Sequence, residues 1–161
     1  MVKEIIIVNE LDKTVGYKER EKIAAKDIYR VAVLWITNSK GELLLAKRAM
    51  TKSHDPGKWG PSVAGTVERG ETYYTNIIKE AKEELGLTDM YPVKGDKHLV
   101  NGKWNYFSQW YYMTTNKNVK DFKIDKTEVS EIKWFTKQAI SDELKKKPNA
   151  FLPSVKRIIT I

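Results

Sequence analysis

The 161-residue chain contains no cysteine. Disulfides, thiolate metal sites and cysteine nucleophiles are therefore excluded. Histidine is almost missing as well: His54 and His98 stand far apart, in no metal-type spacing, and both read as loop residues. Near the amino terminus the apolar run Ile5 to Val8 is too short for a signal peptide or a membrane span, so a cytoplasmic location is expected by default. No internal repeat, low-complexity tract or long linker breaks the chain. A single domain over residues 1–161 is expected, with 1–28 as an N-terminal extension and 29–161 as the core.

Positive charge is in excess. The formal net charge is +8, carried mainly by lysine. That balance favours anionic ligands and raises their encounter rate. It is not accompanied by an arginine-rich arm, a zinc finger or an aromatic RNA-binding signature, so nucleic acid is not expected as the main ligand. Lys145, Lys146 and Lys147 read most simply as the basic end of a helix.

One segment is unlike the rest. From Gly65 to Leu87 the chain reads GTVERGETYYTNIIKEAKEELGL. Thr72 can cap a helix running to Leu85, and Gly86 supplies a left-handed stop. At 100° per residue Tyr74, Ile77, Ile78, Ala81 and Leu85 share a face suited to a sheet. Lys79, Lys82 and Thr75 point outward, and Glu80, Glu83 and Glu84 form a third stripe. Like charges at that spacing repel, by a few tenths of a kcal/mol per pair. Helix stability alone would not select them, whereas a hard divalent cation such as Mg²⁺ or Mn²⁺ takes carboxylate oxygens, water and substrate phosphates. The plainer alternative is a solvated acidic face.

The spacing of Gly65, Glu71, Lys79-Glu80, Glu83-Glu84 and Gly86 resembles the Nudix box, with lysine where that pattern has arginine. Leu43 to Arg48, Pro56 to Trp59 and Ser62 to Gly65 resemble the family's approach to the box. Ile7 to Glu10, Val15-Gly16 and Tyr29 to Ala32 further resemble the branch related to isopentenyl-diphosphate isomerase, which also contains hydrolases. The resemblance implies an α/β (α+β) fold, an α/β/α sandwich with a mixed sheet, in which the box forms a loop-helix-loop. It implies divalent-metal-dependent hydrolysis of a pyrophosphate linkage in a nucleoside diphosphate derivative or a related organic diphosphate.

Carried over position by position, Glu83, Glu84, Glu80 and the carbonyl of Gly65 become the metal ligands. Glu80, or a carboxylate outside the box, activates water. Glu71 and Lys79 brace the loop against the helix, less tightly than arginine's planar fork would. A further carboxylate late in the chain is also implied, with Glu128 and Glu131 as candidates. Lys47 and Arg48 end an apolar run, so that either one can reach a phosphate or stay an exposed strand-end charge. Trp59 can stack on a base or fill the core.

Short strands are expected at Glu4–Asn9 and Thr14–Tyr17, then a helix over Glu19–Ala25, and a hairpin of Arg30–Thr37 with Glu42–Arg48. Further strands cover Ser62–Val67, Trp104–Thr114 and Glu131–Phe135. Helices follow from Thr136 to about Lys146 and over Leu152–Ile159. The connections Lys97–Trp104 and Thr115–Thr127 are the expected carriers of substrate specificity. The aromatic strand Trp104–Tyr112 offers an apolar surface for a homodimer.

Isomerase chemistry in the related branch relies on a cysteine and histidines, and the aligned positions here hold Ala64, Thr66 and, over Lys26–Arg30, no histidine. A non-catalytic nucleotide- or RNA-binding module usually loses box glutamates, which are all present. Capped RNA remains compatible with the hydrolase reading.

Overall fold

A computed structural model describes residues 2–161. Its sheet is organised around β3 (Ile28–Thr37), whose sequence IYRVAVLWIT is apolar on both faces. Strand side chains alternate, so Val33 and Trp35 enter one core while Ala32, Leu34 and Ile36 enter the other. Along one edge β3 pairs in parallel with β8 (Asn105–Thr114) over its whole length. The other edge takes three strands in succession: β1 (Glu4–Val8) at Ile28 and Tyr29, β6 (Val63–Thr66) at Val31 to Leu34, and β4 (Leu43–Arg48) at Ile36 and Thr37. Outside these lie β2 (Thr14–Glu19) on β1, β7 (Val93–Val100) on β8, and β5 (Trp59–Gly60) and β9 (Val129–Phe135) on β4.

Helix α1 (Tyr73–Leu85) covers one face of this mixed sheet, and α2 (Lys137–Lys146) with α3 (Pro153–Ile159) covers the other. The expected helix/sheet/helix layering is present. Among the described residues no helix is long and apolar enough to cross a membrane.

Several expectations are corrected. Glu19–Ala25 forms only a 3₁₀ turn over Arg20–Lys22. The buried Asp27 carboxylate accepts from Ala24 N and Lys18 Nζ, both at 2.7 Å, and turns the chain before a helix can propagate. Strand β7 was hidden by its Gly95-Asp96 interruption, which the pairing accommodates as a register shift between Lys94 and Lys97. His98 therefore sits on a strand, edge-on to Trp110 with ring centroids 4.6 Å apart. Only the last part of Lys97–Trp104 remains a connection. The apolar surface expected of Trp104–Tyr112 is consumed internally, because β8 lies between β3 and β7 with Phe107, Trp110 and Tyr111 buried.

Candidate active site

The acidic stripe is aimed by how α1 is anchored. Thr72 Oγ1 accepts from Thr75 N at 3.1 Å, and Thr75 Oγ1 accepts from Thr72 N at 2.9 Å, which fixes the first turn. Gly86, at φ +67°, closes the last. Ile77, Ala81 and Leu85 are wholly buried, worth roughly 1.5–3 kcal/mol for each of the two larger side chains. Tyr74, expected on the same face, is 41% exposed but still leans on Tyr111 of the sheet. The position between them is taken by Asn76, polar yet completely buried.

With that face fixed, Glu80 and Glu84 turn toward the sheet while Glu83 stays in solvent. Lys79 does not point outward as its helical position suggested. Its ammonium contacts Glu71 at 2.5 Å and Glu68 at 3.5 Å, and lies 3.7 Å from Glu80. Glu71 also accepts from Glu68 N and Asn76 Nδ2, each at 2.9 Å. Burial works to raise the Glu71 pKa, but these donors outweigh it and hold the group below the usual carboxylate range. The brace expected of Glu71 and Lys79 is thus assembled, with one ammonium spanning what a guanidinium fork would grip.

Gly65, on β6, passes directly over this knot. A Cβ there would lie 2.6 Å from Asn76 Oδ1 and 2.9 Å from Glu80 Cδ, so only glycine lets the strand approach the helix. Asn76 Nδ2 donates to Thr66 O at 3.0 Å as well as to Glu71. Among the described residues its Oδ1 is buried without a partner.

At the other end of α1 the chain returns late in the sequence. Lys123 N donates to Leu85 O at 3.1 Å and Asp125 N to Glu84 O at 2.9 Å, satisfying carbonyls that a helix end leaves free. Ala49 N then donates to Glu128 O at 3.0 Å, and the Glu128 carboxylate pairs with Lys52 at 2.5 Å. Burial, and next the charges of Glu80 and Glu128, push the Glu84 carboxyl up to about 9. Lys52 and Arg48 stand near enough to oppose that rise. Glu80 is also raised, chiefly by burial, with Lys79 pulling it back.

Strand alternation separates the two β4 cations. Arg48 lies on the box side, where its Nε donates to His54 O at 2.9 Å. Lys47 lies on the opposite side, 5.9 Å above the Trp59 ring. Trp59 packs edge-on to Phe135 at 5.1 Å in the second core, so its ring fills the interior away from the box. Glu131 is exposed opposite Lys47 and does not join the cluster. The structure therefore gathers Gly65, Glu71, Lys79, Glu80, Glu84, Arg48 and Glu128 at the box. It leaves Lys47, Trp59 and Glu131 outside. Lys52 and Asn76 were missed.

The donor set fits a hard divalent cation on two counts. Glu84 is a half-buried carboxyl under the charges of Glu80 and Glu128, the situation a cation relieves, and among the described residues Asn76 Oδ1, close to Gly65, has no partner. Glu83 and Glu84 have no ion-pair partner among the described residues, so lysine does not occupy them. Also among the described residues, no three His, Asp or Glu side chains stand close enough together to hold an ion without rearranging. On the opposite face of β6, Ala64 packs against the second core and Thr66 Oγ1 faces Arg20 Nη1 at 3.4 Å. Neither offers a thiol or an imidazole.

A family model for the NUDIX domain matches residues 27–155. An uncharacterised Nudix hydrolase of Listeria innocua is 30% identical over 138 residues, covering 83% of this chain and 77% of its own. An isopentenyl-diphosphate Delta-isomerase of Aliivibrio fischeri is 27% identical over 179 aligned positions, covering 99% and 97%. A solved Deinococcus radiodurans structure superposes with a TM-score of 0.81 at 22% identity, covering 98% and 97%, which establishes likeness of fold. With its box glutamates complete, the chain belongs to the Nudix family as an enzyme of the Nudix hydrolase type.

Proposed function

We propose that the protein cleaves the pyrophosphate linkage of a nucleoside diphosphate derivative, or a related organic diphosphate, using Mg²⁺ or Mn²⁺ held by Glu80, Glu83, Glu84 and the Gly65 carbonyl. The observation that carries this reading is the half-buried Glu84, whose carboxyl feels the charges of Glu80 and Glu128 and lies one helical turn beyond the Glu80 that Gly65 approaches. A divalent ion in such a setting neutralises phosphate charge and lowers the pKa of bound water. In the reaction, the oxygen of water bonds to one phosphorus and the bridging P–O bond breaks. The electron pair leaves on the departing phosphate.

Each residue has a part in that step. Arg48 and Lys52 lie on the box side, where they can pair with phosphate oxygens. Lys52 must then exchange Glu128 for substrate, which frees Glu128 as an additional carboxylate at the site. Glu80, whose side chain lies against the Gly65 backbone, has a second carboxylate oxygen that can accept a proton from the attacking water. Glu71 and Lys79 hold the loop and take no part in proton transfer. Because Glu83 is exposed, it can rotate inward on loading without disturbing the core.

We place the activity in the cytoplasm, within one domain, on a small-molecule substrate. Glu80→Gln is the test. Turnover of an organic diphosphate with Mg²⁺ should fall about 10²–10⁴-fold while the fold persists. Unchanged turnover would remove the role assigned to the box.

A further inference from the structure

The family match begins at residue 27, yet the preceding hairpin grips the box loop at both ends. At the near end, β1 runs beside residues 67–69. Ile6 N donates to Val67 O at 3.4 Å, Arg69 N donates to Glu4 O at 2.8 Å, and Ile5 bridges to Glu68. The Arg69 guanidinium pairs with Glu4 at 2.9 Å and lies 4.2 Å over the Tyr17 ring of β2. The segment leaving Gly65 is thus an outer partner of β1.

At the far end stands Asp12, in the hairpin turn that Asn9 shapes by accepting from Leu11 N and Lys13 N. Its backbone is left-handed, at φ +59°, and its side chain is 7% accessible. Three elements converge on that one carboxylate. Arg30 Nε of β3 donates to Oδ1 at 2.7 Å, and Lys97 Nζ of β7 to Oδ2 at 2.7 Å. Tyr73 OH, from the first residue of α1, donates to Oδ2 at 2.9 Å. Arg30 Nη2 also donates to the Asp12 carbonyl at 2.7 Å. A lone carboxylate facing two cations and a phenol from three other elements is more than a hairpin turn needs for itself.

We propose that the N-terminal hairpin is a positioning element for the metal loop, with Asp12 as its working residue. By holding Tyr73 against β3 and β7, Asp12 fixes the start of α1 relative to the strand carrying Gly65. Glu80 and Glu84 lie two and three turns further along the same rigid rod, so a rotation at Tyr73 displaces them from the Gly65 carbonyl. This proposal rests on the metal-dependent reading above, and extends it to residues outside the family match.

The test uses full-length protein and two readouts: Mn²⁺ affinity by electron paramagnetic resonance, and steady-state kinetics on an organic diphosphate. Asp12→Gly keeps the left-handed backbone and deletes the clamp. Asp12→Asn keeps the backbone and an oxygen for Tyr73. Tyr73→Phe deletes only the helix end of the clamp and spares the fold if the glycine variant does not. Asp12→Gly should weaken Mn²⁺ binding and lower kcat by about tenfold each, as lost outer-sphere support does, with KM within about twofold. Tyr73→Phe should weaken Mn²⁺ binding by about threefold, and Asp12→Asn, which keeps an oxygen for Tyr73 but turns its amide N–H toward the Arg30 donor, should recover only part of both losses. Wild-type Mn²⁺ affinity and kcat in Tyr73→Phe, or a change in KM alone, would overturn the proposal. If wild-type protein binds Mn²⁺ but turns nothing over, the hydrolase reading fails, and the Mn²⁺ constants alone decide the role of Asp12.

Discussion

Replacing Glu84 with glutamine should make the metal-free protein more stable and the metal-loaded protein less so. The Glu84 carboxyl lies at about 9 in the folded chain, against a reference of 4.5. Between those values the folded state holds a proton that the unfolded state has released. Stability therefore falls as pH rises through the window, by at most about 1.4 kcal/mol per pH unit. From pH 5 to pH 8 that limit is about 4 kcal/mol, and local relaxation brings the expectation down to about 1–3 kcal/mol. Glutamine has no proton to lose. Glu84→Gln should thus match wild type near pH 5 and exceed it by about 1–3 kcal/mol at pH 8, or roughly 2–10 °C in melting temperature. Part of the slope should persist in the variant, because Glu80 is raised in the same direction. Saturating Mg²⁺ should reverse the ranking, since a ligand at about 1,000 times its Kd adds about 4.1 kcal/mol to wild type. Thermal melts from pH 5 to pH 8, with EDTA and with Mg²⁺, measure all of this. A wild-type curve flat between pH 5 and 8, or equal Mg²⁺ stabilisation of both proteins, would refute the reasoning.

Other substitutions probe separate links. Gly65→Ala would drive a methyl group into Glu80 and Asn76, so kcat should drop at least about tenfold while melting temperature changes by only a few degrees, seen by pairing kinetics with calorimetry. Arg48→Ala should raise KM for a diphosphate by about tenfold or more, whereas Lys47→Ala, on the Trp59 side, should leave KM within about twofold. Lys79→Ala strands Glu71 and Glu68 without their cation and should destabilise by about 1–3 kcal/mol in urea unfolding, while Lys79→Arg should restore or exceed wild-type stability.

The box helix was legible because its signals are local. Thr72, Gly86 and the 3.6-residue recurrence of Ile77, Ala81 and Leu85 each act within a few residues of chain. The orientation of Lys79 was not, since a helical wheel places it outward and only the loop carrying Glu68 and Glu71 recruits it inward. Asn76 did leave a trace: it stands one turn before Glu80, so the acidic stripe begins with an amide. Lys52 left none. Its place beside Glu128 depends on the backbone bond from Ala49, between segments remote in sequence. The β7 strand was obscured by its Gly95-Asp96 irregularity, and the short helix drawn over Glu19–Ala25 lost to a competing carboxylate at Asp27. Choosing between Lys47 and Arg48 required strand register, which a single apolar run does not set.

Water attacks phosphorus in the proposed reaction, and ¹⁸O transfer watched by ³¹P nuclear magnetic resonance reads that step directly. Incubated with Mg²⁺ in H₂¹⁸O, an organic diphosphate should yield two phosphorus products in equal amounts, one of them carrying a single ¹⁸O. An intact diphosphate with no label, whether unchanged or with its carbon skeleton rearranged, would contradict it.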